Sequence, residues 1–263
     1  MREPSHASRA APHARITAMI ALILSVSSLR CASEGPRISL PPDSGATSAP
    51  PSDTTPTASA PSYTTTFAQT ETPLSEGGVW HHVDPLLTVV ASVDGHAFGT
   101  QTGTSGYDDS NAYVTGFGTN YEVAGIIWLN PAWAGNGNRE VEILLRWSDD
   151  GPLRPTSYGD THANGYEINV QHAGHYMQLG RFKAGLLEQV DAYASPRTGD
   201  RFRARIEGQR IRVWWNETLM IDYTDADAAR AVTTGDPGIG FYVSGGAPNT
   251  DFGFDAVTIT ALP

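Results

Sequence analysis

The C-terminal part of this chain alternates apolar and polar residues so strictly that it restricts the fold to antiparallel β-structure. Residues 199–223 read GDRFRARIEGQRIRVWWNETLMIDY, and they are followed by GIGFYVSGG at 238–246 and FGFDAVTIT at 252–260. Strict alternation marks strands with one buried face, and the EGQR sequence marks a tight turn between two of them. Three antiparallel strands followed by two more predict the closing half of a β-sandwich.

The chain from residue 67 onward shows the same β pattern throughout. Segments rich in Val, Ile, Tyr and Trp recur between Gly, Asp, Asn and Pro, and only residues 225–231 indicate a helical turn. So many short strands predict an all-β fold, a two-sheet antiparallel β-sandwich or jelly roll. The predicted strands lie near 79–83, 86–92, 111–116, 121–130, 139–147, 165–172, 175–182, 186–192, 200–206, 210–216, 218–223, 238–244 and 252–261.

The N-terminus has the composition of an export signal. Residues 16–29 form a short apolar run behind three arginines, and the run is too short for a comfortable membrane span. Cys31, the only cysteine, follows it in a context that loosely resembles the lipid-attachment site of bacterial lipoproteins. Residues 1–31 are therefore predicted to be an export signal, either of the lipoprotein type with lipid on Cys31 or of the ordinary cleaved type. We expect an exported protein, lipid-anchored in the cell envelope or extracellular.

A segment of low complexity separates this signal from the β-rich region. Pro, Ser, Thr and Ala make up 22 of the 26 residues from 41 to 66. Such a segment has little to bury and stays extended. Residues 32–66 are therefore predicted to be a disordered linker, a stalk for one domain at 67–263. That domain is long enough to bury a core and, with one cysteine in the chain, has no internal disulfide.

The charge and motifs of the chain exclude several function classes. The formal net charge is −11, and residues 67–263 carry 12 Lys and Arg against 24 Asp and Glu, which argues against nucleic acid as a partner. No Gly-x-Ser-x-Gly motif, phosphate loop or Cys/His nucleophile pattern occurs. We expect a monomer without an organic cofactor, in contact with a membrane only through the lipid anchor, if Cys31 carries one.

Alternation in the middle strands collects polar residues on one sheet face. In REVEILLRW at 139–147, Val141 and Ile143 share the core face, so the residues between them point away. That opposite face is either solvated or a groove for a glycan, where amides and carboxylates meet sugar hydroxyls and aromatic rings stack on the sugar. The candidate binding residues are Glu140, Glu142, Arg146, Glu167, Asn169 and Gln171, with Trp128 or Trp133 stacking and with Tyr166 and Tyr176 as further rings.

The strand and turn pattern resembles the concanavalin A-like lectin/glucanase superfamily. The resemblance is carried by FAQTETPLSEGGVW at 67–80, by residues 199–223, and by the closing GIGFYVSGG and FGFDAVTIT strands. Many bacterial extracellular domains of this superfamily open with a Phe, a polar run and a Trp, and close with G-x-G-[FL] and F-D-x-[VF] strands. The resemblance implies a jelly roll that handles glycans, and it does not define an activity.

Laminarinase-type glucanases of this superfamily carry E-x-D-x-x-E on one strand, with the outer Glu residues as nucleophile and acid/base. By this resemblance Glu140 falls on the nucleophile position and Glu142 on the Asp. Leu145 or Arg146 stands where the acid/base is expected, and an arginine does not donate a proton at neutral pH. The retaining mechanism is therefore not expected with these residues alone.

Two other groups of residues can be interpreted either as structural or as ligand-binding. The hairpin at 200–216 is predicted to pair Arg205 with Arg212 and Arg203 with Trp214, which requires neighbouring carboxylates or an anionic ligand to neutralise the arginines. Residues 107–111 (YDDSN) are rich in oxygen and form either a calcium-binding loop or a turn. The spacing of the histidines predicts no metal site.

The leading hypothesis is a noncatalytic carbohydrate-binding or envelope-associated module held on a stalk, with a polysaccharide or envelope glycan as partner. Its first rival is a glycoside hydrolase in which Glu167 or Glu188 supplies a displaced acid/base. The second is a structural surface protein without a small ligand.

Overall fold

The computed structural model describes residues 60–82, 84, 86–101, 109–132, 137–149, 151–155, 160–183, 186–243 and 249–263. For residues 154, 155, 160 and 186–189 it describes the backbone and not the side chains. The predicted export signal, Cys31, most of the predicted linker and Trp133 lie outside these residues. Within the described ranges, no helix is long and apolar enough to cross a membrane.

One antiparallel sheet has seven strands, numbered here in chain order. They are β2 (Trp80–His81), β5 (Ser110–Val114), β7 (Arg139–Ser148), β10 (Asn164–Gln171), β11 (Tyr176–Lys183), β12 (Leu186–Tyr193) and β16 (Asp236–Val243). Their order across the sheet is β12-β11-β10-β7-β16-β5-β2. The centre of this seven-stranded sheet is therefore β7, between β10 and β16.

The other large sheet has eight strands. They are β1 (Ser62–Thr65), β3 (Val90–Val93), β4 (His96–Gly99), β6 (Tyr121–Leu129), β13 (Arg201–Glu207), β14 (Arg210–Trp215), β15 (Thr218–Thr224) and β17 (Phe252–Ala261). Their order is β15-β14-β13-β6-β17-β4-β3, with β1 also paired to β17. The short strands β8 (Arg154–Pro155) and β9 (Asp160–Thr161) pair with each other, and a 3-10 turn at Asn249–Asp251 precedes β17.

The core lies between the two sheets. Val141, Ile143 and Leu145 of β7 enter it from one side, and Phe202 and Ile206 of β13 from the other, all fully buried. Burial of each such side chain contributes about 1.5–3 kcal/mol. The inward residues alternate along each strand with outward ones, so the prediction of a two-sheet antiparallel β-sandwich is confirmed.

The predicted hairpin of β13 and β14 is confirmed in its register. Arg205 lies opposite Arg212, and Arg203 lies opposite Trp214. Glu207 accepts hydrogen bonds from both Arg205 and Arg212, while Arg203 pairs with Glu122 and Glu217 and lies 4.1 Å from the centroid of the Trp214 ring. Carboxylates therefore neutralise these arginines, and the Trp214 ring stacks on one of them, so the arginine pairs are explained without an anionic ligand.

The predicted boundary between linker and domain lies too late in the chain. Residues 62–65, assigned to the disordered linker, form β1 and pair with β17 in the register Ser62↔Thr260 to Thr65↔Val257. Thr65 is buried, and Phe67 follows it into the core. The high content of Ser and Thr concealed a strand, because Thr and Tyr also favour pleated, half-buried positions. Strand β4 was likewise not predicted.

A buried ion pair ties the seven-stranded sheet to the segment after β15. Arg181 Nη1 lies 2.6 Å from Asp225 Oδ1, and the two side chains are 3% and 1% exposed. The Tyr166 hydroxyl donates to Asp225 Oδ2 at 2.7 Å and accepts from the backbone NH of Val232 at 3.0 Å. Removal of one partner of such a pair leaves the other charge buried without compensation.

We predict that Asp225→Asn lowers the free energy of unfolding by about 3–5 kcal/mol, because Arg181 would keep its charge and lose its counter-ion. Urea denaturation at neutral pH measures the loss. The matched control is Asp222→Asn in the exposed Arg210–Asp222 pair, which should leave the midpoint almost unchanged. Equal midpoints for the two variants would contradict the structural role assigned to the buried pair.

Candidate functional site

The face of the seven-stranded sheet that points away from the core carries a row of polar residues. Glu142 of β7 lies opposite Asn169 of β10 on one side and Gly240 of β16 on the other. The row continues to Gln178 of β11 and to Asn111 of β5. We call these five residues the polar row: Asn111, Gly240, Glu142, Asn169 and Gln178. Alternation along each strand places them all on the outer face.

A second row runs beside the first on the same face. Glu140 lies opposite Gln171 and Tyr242, Gln171 lies opposite Tyr176, and Tyr176 lies opposite Tyr193. We call these five residues the tyrosine row: Tyr242, Glu140, Gln171, Tyr176 and Tyr193. Sequence reasoning missed Tyr193 and Tyr242, although the alternation of their strands places both outside the core.

The predicted alternative of a solvated face does not match the burial of these side chains. Glu142 is fully buried, and Glu140, Glu167, Asn169 and Gln171 are at most 8% exposed. Charged residues are seldom buried to this extent unless they are paired or bind something. The outer face of the sheet is therefore a covered polar surface, and Tyr193, 67% exposed, lies at its open end.

Glu140 is held by its neighbours in the tyrosine row. Its Oε1 accepts a hydrogen bond from Gln171 Nε2 at 2.8 Å and another from the Tyr176 hydroxyl at 2.6 Å. Burial raises the pKa of Glu140, and these two donors offset part of that rise. The carboxylate predicted by resemblance to be a nucleophile is thus oriented by an amide and a phenol.

Glu142 differs from Glu140 because neither of its oxygens has a hydrogen-bond partner among the described residues. Burial raises its pKa well above the ordinary value, and the carboxyls of Glu167, Asp109 and Glu140 raise it further. Ligand oxygens of Asp109, Glu142 and Glu167 all lie within 4.8 Å of one another. Three buried carboxyl groups this close cannot all carry an uncompensated charge.

Asn111 and Gly240 complete the surroundings of Glu142. Asn111 is 2% exposed, and neither its amide nitrogen nor its oxygen has a hydrogen-bond partner in the described structure. A Cβ atom on Gly240 would lie 2.1 Å from Glu142 Oε2 and 2.7 Å from Asn111 Oδ1. Position 240 therefore has to be glycine, because the two polar side chains occupy the space above its Cα.

Glu167 and Asn169 approach the same cluster from β10. Asn169 Nδ2 donates to Glu167 Oε1 at 3.0 Å, whereas Asn169 Oδ1 is buried without a partner. Beyond Glu167 the outer face turns apolar, because Trp147 packs edge-on against Phe182 at 5.7 Å between centroids and both join a small buried cluster. The polar surface thus ends at this aromatic pair.

Several predicted site residues are not brought to this surface. Trp128 belongs to β6 in the other sheet and stacks on His96 at 4.5 Å, and Tyr166 lies in the core. Arg146, predicted on the polar face, donates to the backbone carbonyls of Thr119 and Val232. A register irregularity on each side of Arg146, together with its φ of 50°, breaks the alternation used to place it.

The donors at this cluster are oxygens that suit hard cations. Carboxylate and amide oxygens are the ligands of calcium, magnesium and manganese, whereas zinc favours His and Cys. Asp109 and Asn111 belong to the segment predicted to bind calcium or form a turn, and residues 107 and 108 lie outside the described ranges. Glu188, the other predicted acid/base, lies opposite Arg181 in the register, and its side chain is not described.

Comparisons with solved structures identify the fold. The chain is similar to the Crh5 transglycosylase in complex with NAG, at 14% identity over 78% of this chain and 86% of that one, with a TM-score of 0.51. It is similar to the exoplasmic/lumenal domain of VIP36 in its Ca²⁺/Man3GlcNAc-bound form, at 10% identity over 72% and 86% of the chains, with a TM-score of 0.50. A third similar structure is the carbohydrate-binding module CBM66 from Bacillus subtilis, at 16% identity, 72% and 95% coverage and a TM-score of 0.46.

The chain has the concanavalin A-like jelly-roll fold, as the resemblance of its strand pattern implied. No protein-family description matches the sequence, and no curated protein matches it. At the identities above, the similarity defines the fold and leaves the activity open.

The raised pKa of Glu142 predicts that its effect on stability depends on pH. Below its ordinary value of 4.5 the carboxyl is protonated in both the folded and the unfolded chain. Above 4.5 the unfolded chain releases the proton while the folded chain keeps it, so stability is lost as pH rises towards the raised pKa. We expect Glu142→Gln, in chelator, to melt at a higher temperature than the wild type at pH 8, with the difference vanishing towards pH 4.

The control is Glu207→Gln, because the pKa of Glu207 is shifted the other way, chiefly by its hydrogen bond from Arg205. A lowered pKa stabilises the folded chain above 4.5 and loses that effect as pH falls through the lowered value, so this variant should melt below the wild type at pH 8 and approach it as pH falls below 4.5. Thermal melts of the three proteins across this pH range test both signs. Melting temperatures of the wild type and Glu142→Gln that change in parallel with pH would show that the pKa of Glu142 is not raised in the folded chain.

Proposed function

We propose that this protein binds a carbohydrate on the outer face of its seven-stranded sheet, as a noncatalytic module. The observation that carries the proposal is the tyrosine row beside the polar row. Across five neighbouring strands the row runs Tyr193, Tyr176, Gln171, Glu140, Tyr242, so an amide and a carboxylate lie between tyrosines. Phenol rings with amides and carboxylates between them match the apolar faces and the hydroxyl groups of a sugar.

The chemistry of the two rows favours a neutral or weakly charged polyhydroxyl ligand. Glu142 offers two unpartnered oxygens and Asn169 offers one, all hydrogen-bond acceptors for hydroxyl groups. A buried acceptor without a partner costs free energy, which a hydroxyl donor from a ligand would recover. The exposed ring of Tyr193 provides a stacking surface at the accessible end of the row.

Two features support binding without hydrolysis. Leu145 or Arg146 stands at the acid/base position implied by the laminarinase resemblance; Leu145 is buried in the core, and the Arg146 guanidinium donates to the carbonyls of Thr119 and Val232. Glu140, at the implied nucleophile position, is already hydrogen-bonded to Gln171 and Tyr176. These contacts give these residues a structural explanation that requires no catalytic role.

A glycoside hydrolase is the second candidate, and one specific observation favours it. Oxygens of Glu142 and Glu167 lie within 4.8 Å, and the carboxyl groups of retaining glycosidases are about 5–5.5 Å apart. Glu142, whose pKa is raised, would be the acid/base, and Glu167 would be the nucleophile. This pair replaces the predicted pairing of Glu140 with a displaced carboxylate.

We also propose that the protein is exported and displayed on a stalk. Support comes from the apolar run at 16–29, the position of Cys31 after it, and the Pro-, Ser-, Thr- and Ala-rich segment that follows. Mass spectrometry of the mature protein, read for an acyl group on Cys31, separates a lipid-anchored envelope protein from a secreted one.

Affinity electrophoresis of the full chain in gels carrying neutral and acidic polysaccharides tests the function. We expect retardation by at least one polysaccharide, weakened about 2–10-fold by Tyr193→Ala through loss of ring contact. The double variant Glu140→Ala with Glu142→Ala should weaken it at least about 100-fold, because hydrogen bonds to charged groups contribute about 1.5–3 kcal/mol each. A parallel assay of new reducing ends reports hydrolysis.

Trp128→Ala is the matched control, because Trp128 lies on the outer face of the other sheet. Loss of retardation in this variant, with Tyr193→Ala unaffected, would move the binding site to the eight-stranded sheet. Reducing ends that disappear in both Glu142→Gln and Glu167→Gln would favour the hydrolase. Absence of both retardation and product on every polysaccharide would favour a structural surface protein.

A further inference from the structure

Three buried carboxylates from three separate chain segments converge beside one buried amide. Asp109 precedes β5, Glu142 lies on β7 and Glu167 on β10, and oxygens of the three lie within 4.8 Å of one another. Asn111 of β5 borders the same space over Gly240. We propose that Asp109, Asn111, Glu142 and Glu167 form a binding site for one hard divalent cation of the calcium class.

Asn111 gives evidence independent of the acidic residues. It carries no charge and is only 2% exposed. Neither polar atom of its amide has a hydrogen-bond partner in the described structure. A Cβ atom placed on Gly240 would lie 2.7 Å from Asn111 Oδ1 and 2.1 Å from Glu142 Oε2, so both oxygens point into the same space. Buried amides are nearly always hydrogen-bonded, so an unpartnered one aimed at a carboxylate indicates a missing ligand.

The charges around Glu142 point to a cation rather than to an anion or a neutral group. Among the described residues, the charged groups that act on Glu142 are Glu167, Asp109 and Glu140, and all three are acids. Glu140 is satisfied by its own donors, so it adds negative charge without competing for the same space. A divalent cation would compensate the negative charge of three carboxylates whose oxygens lie within 4.8 Å of one another.

The donor set and spacing fit calcium better than a transition metal. Calcium accepts 6–8 oxygen ligands at about 2.3–2.6 Å in flexible geometry, so ligand oxygens on one ion are separated by up to about 5 Å. The oxygens of the three carboxylates satisfy this limit. All four side chains offer oxygen, whereas copper and zinc sites favour imidazole and thiolate.

The cation site shares Glu142 with the proposed carbohydrate-binding surface and uses no residue of the tyrosine row. It conflicts with the hydrolase candidate, since a cation between Glu142 and Glu167 keeps both carboxylates ionised and leaves Glu142 without a proton to donate. Evidence for the cation would therefore also favour the noncatalytic proposal over the catalytic one.

Calorimetric titration of the chelator-treated full chain with calcium, magnesium and manganese tests the site. We expect one cation per chain, with calcium bound more tightly than magnesium and with a Kd of about 1 mM or below, the range of extracellular calcium modules. At about one hundred times Kd the bound cation should raise the melting temperature by about 5–10 °C. The absence of saturable binding of all three cations by the wild type would overturn the proposal.

Variants locate the cation without relying on one substitution. Glu142→Gln removes a ligand charge, and Gly240→Ala keeps every ligand but places a methyl group in the space between Glu142 and Asn111. Each should weaken calcium binding at least about tenfold, as loss of a close metal contact does. Asp191→Asn, at an exposed carboxylate on β12 of the same sheet, should bind calcium like the wild type.

Unchanged calcium binding in both Glu142→Gln and Gly240→Ala would overturn the proposal by placing the cation elsewhere. Circular dichroism of each variant confirms that a loss of binding is not a loss of fold. Affinity electrophoresis with and without chelator keeps the two proposals distinguishable. Sugar binding by a chain that binds no cation would overturn only the cation site, and calcium binding by a chain that retains no sugar would support the cation site while removing the proposed function.

Discussion

Burial of β7 on both of its faces is the constraint on which the candidate site depends. Val141 and Ile143 point into the sandwich core, while Glu140 and Glu142 point the other way and are still only 8% and 0% exposed. A carboxylate without water needs a donor, a proton or a counter-ion. Gln171 and Tyr176 meet this need for Glu140, and no described side chain donates to Glu142.

The strands were predictable because their signal is local. Alternation within a strand separates inward from outward residues, so the outward position of Glu142 and Asn169 followed from the sequence. The assembly of the cluster did not follow, because Asp109 and Glu167 reach Glu142 only through the order and register of β5, β16, β7 and β10. Register depends on pairing between distant segments, for which a single sequence carries no local signal.

Two misplaced residues show where alternation fails. Trp128 alternates outward as predicted, but its strand belongs to the eight-stranded sheet, and alternation does not say which sheet a strand joins. Arg146 is misplaced because β7 is irregular there. Glycines on both neighbouring segments mark this irregularity: a Cβ on Gly235 would lie 2.2 Å from the Arg146 carbonyl oxygen, and one on Gly165 would lie 3.0 Å from it. Glycines near strand ends therefore mark in the sequence where the alternation of a neighbouring strand is interrupted.

Glu140 and Glu142 are two residues apart on one strand, yet their surroundings suit different chemistry. Glu140 lies between tyrosines and an amide, so it is a fixed acceptor in a row shaped for a polyhydroxyl ligand. Glu142 lies among carboxyls, so its charge is tolerated only with a proton or a cation. Gly240 leaves the space above its Cα to Glu142 Oε2 and Asn111 Oδ1, where an apolar side chain would have been the simpler group to bury. Keeping acidic and unpartnered groups there costs stability, which is the usual mark of a site retained for binding rather than for folding.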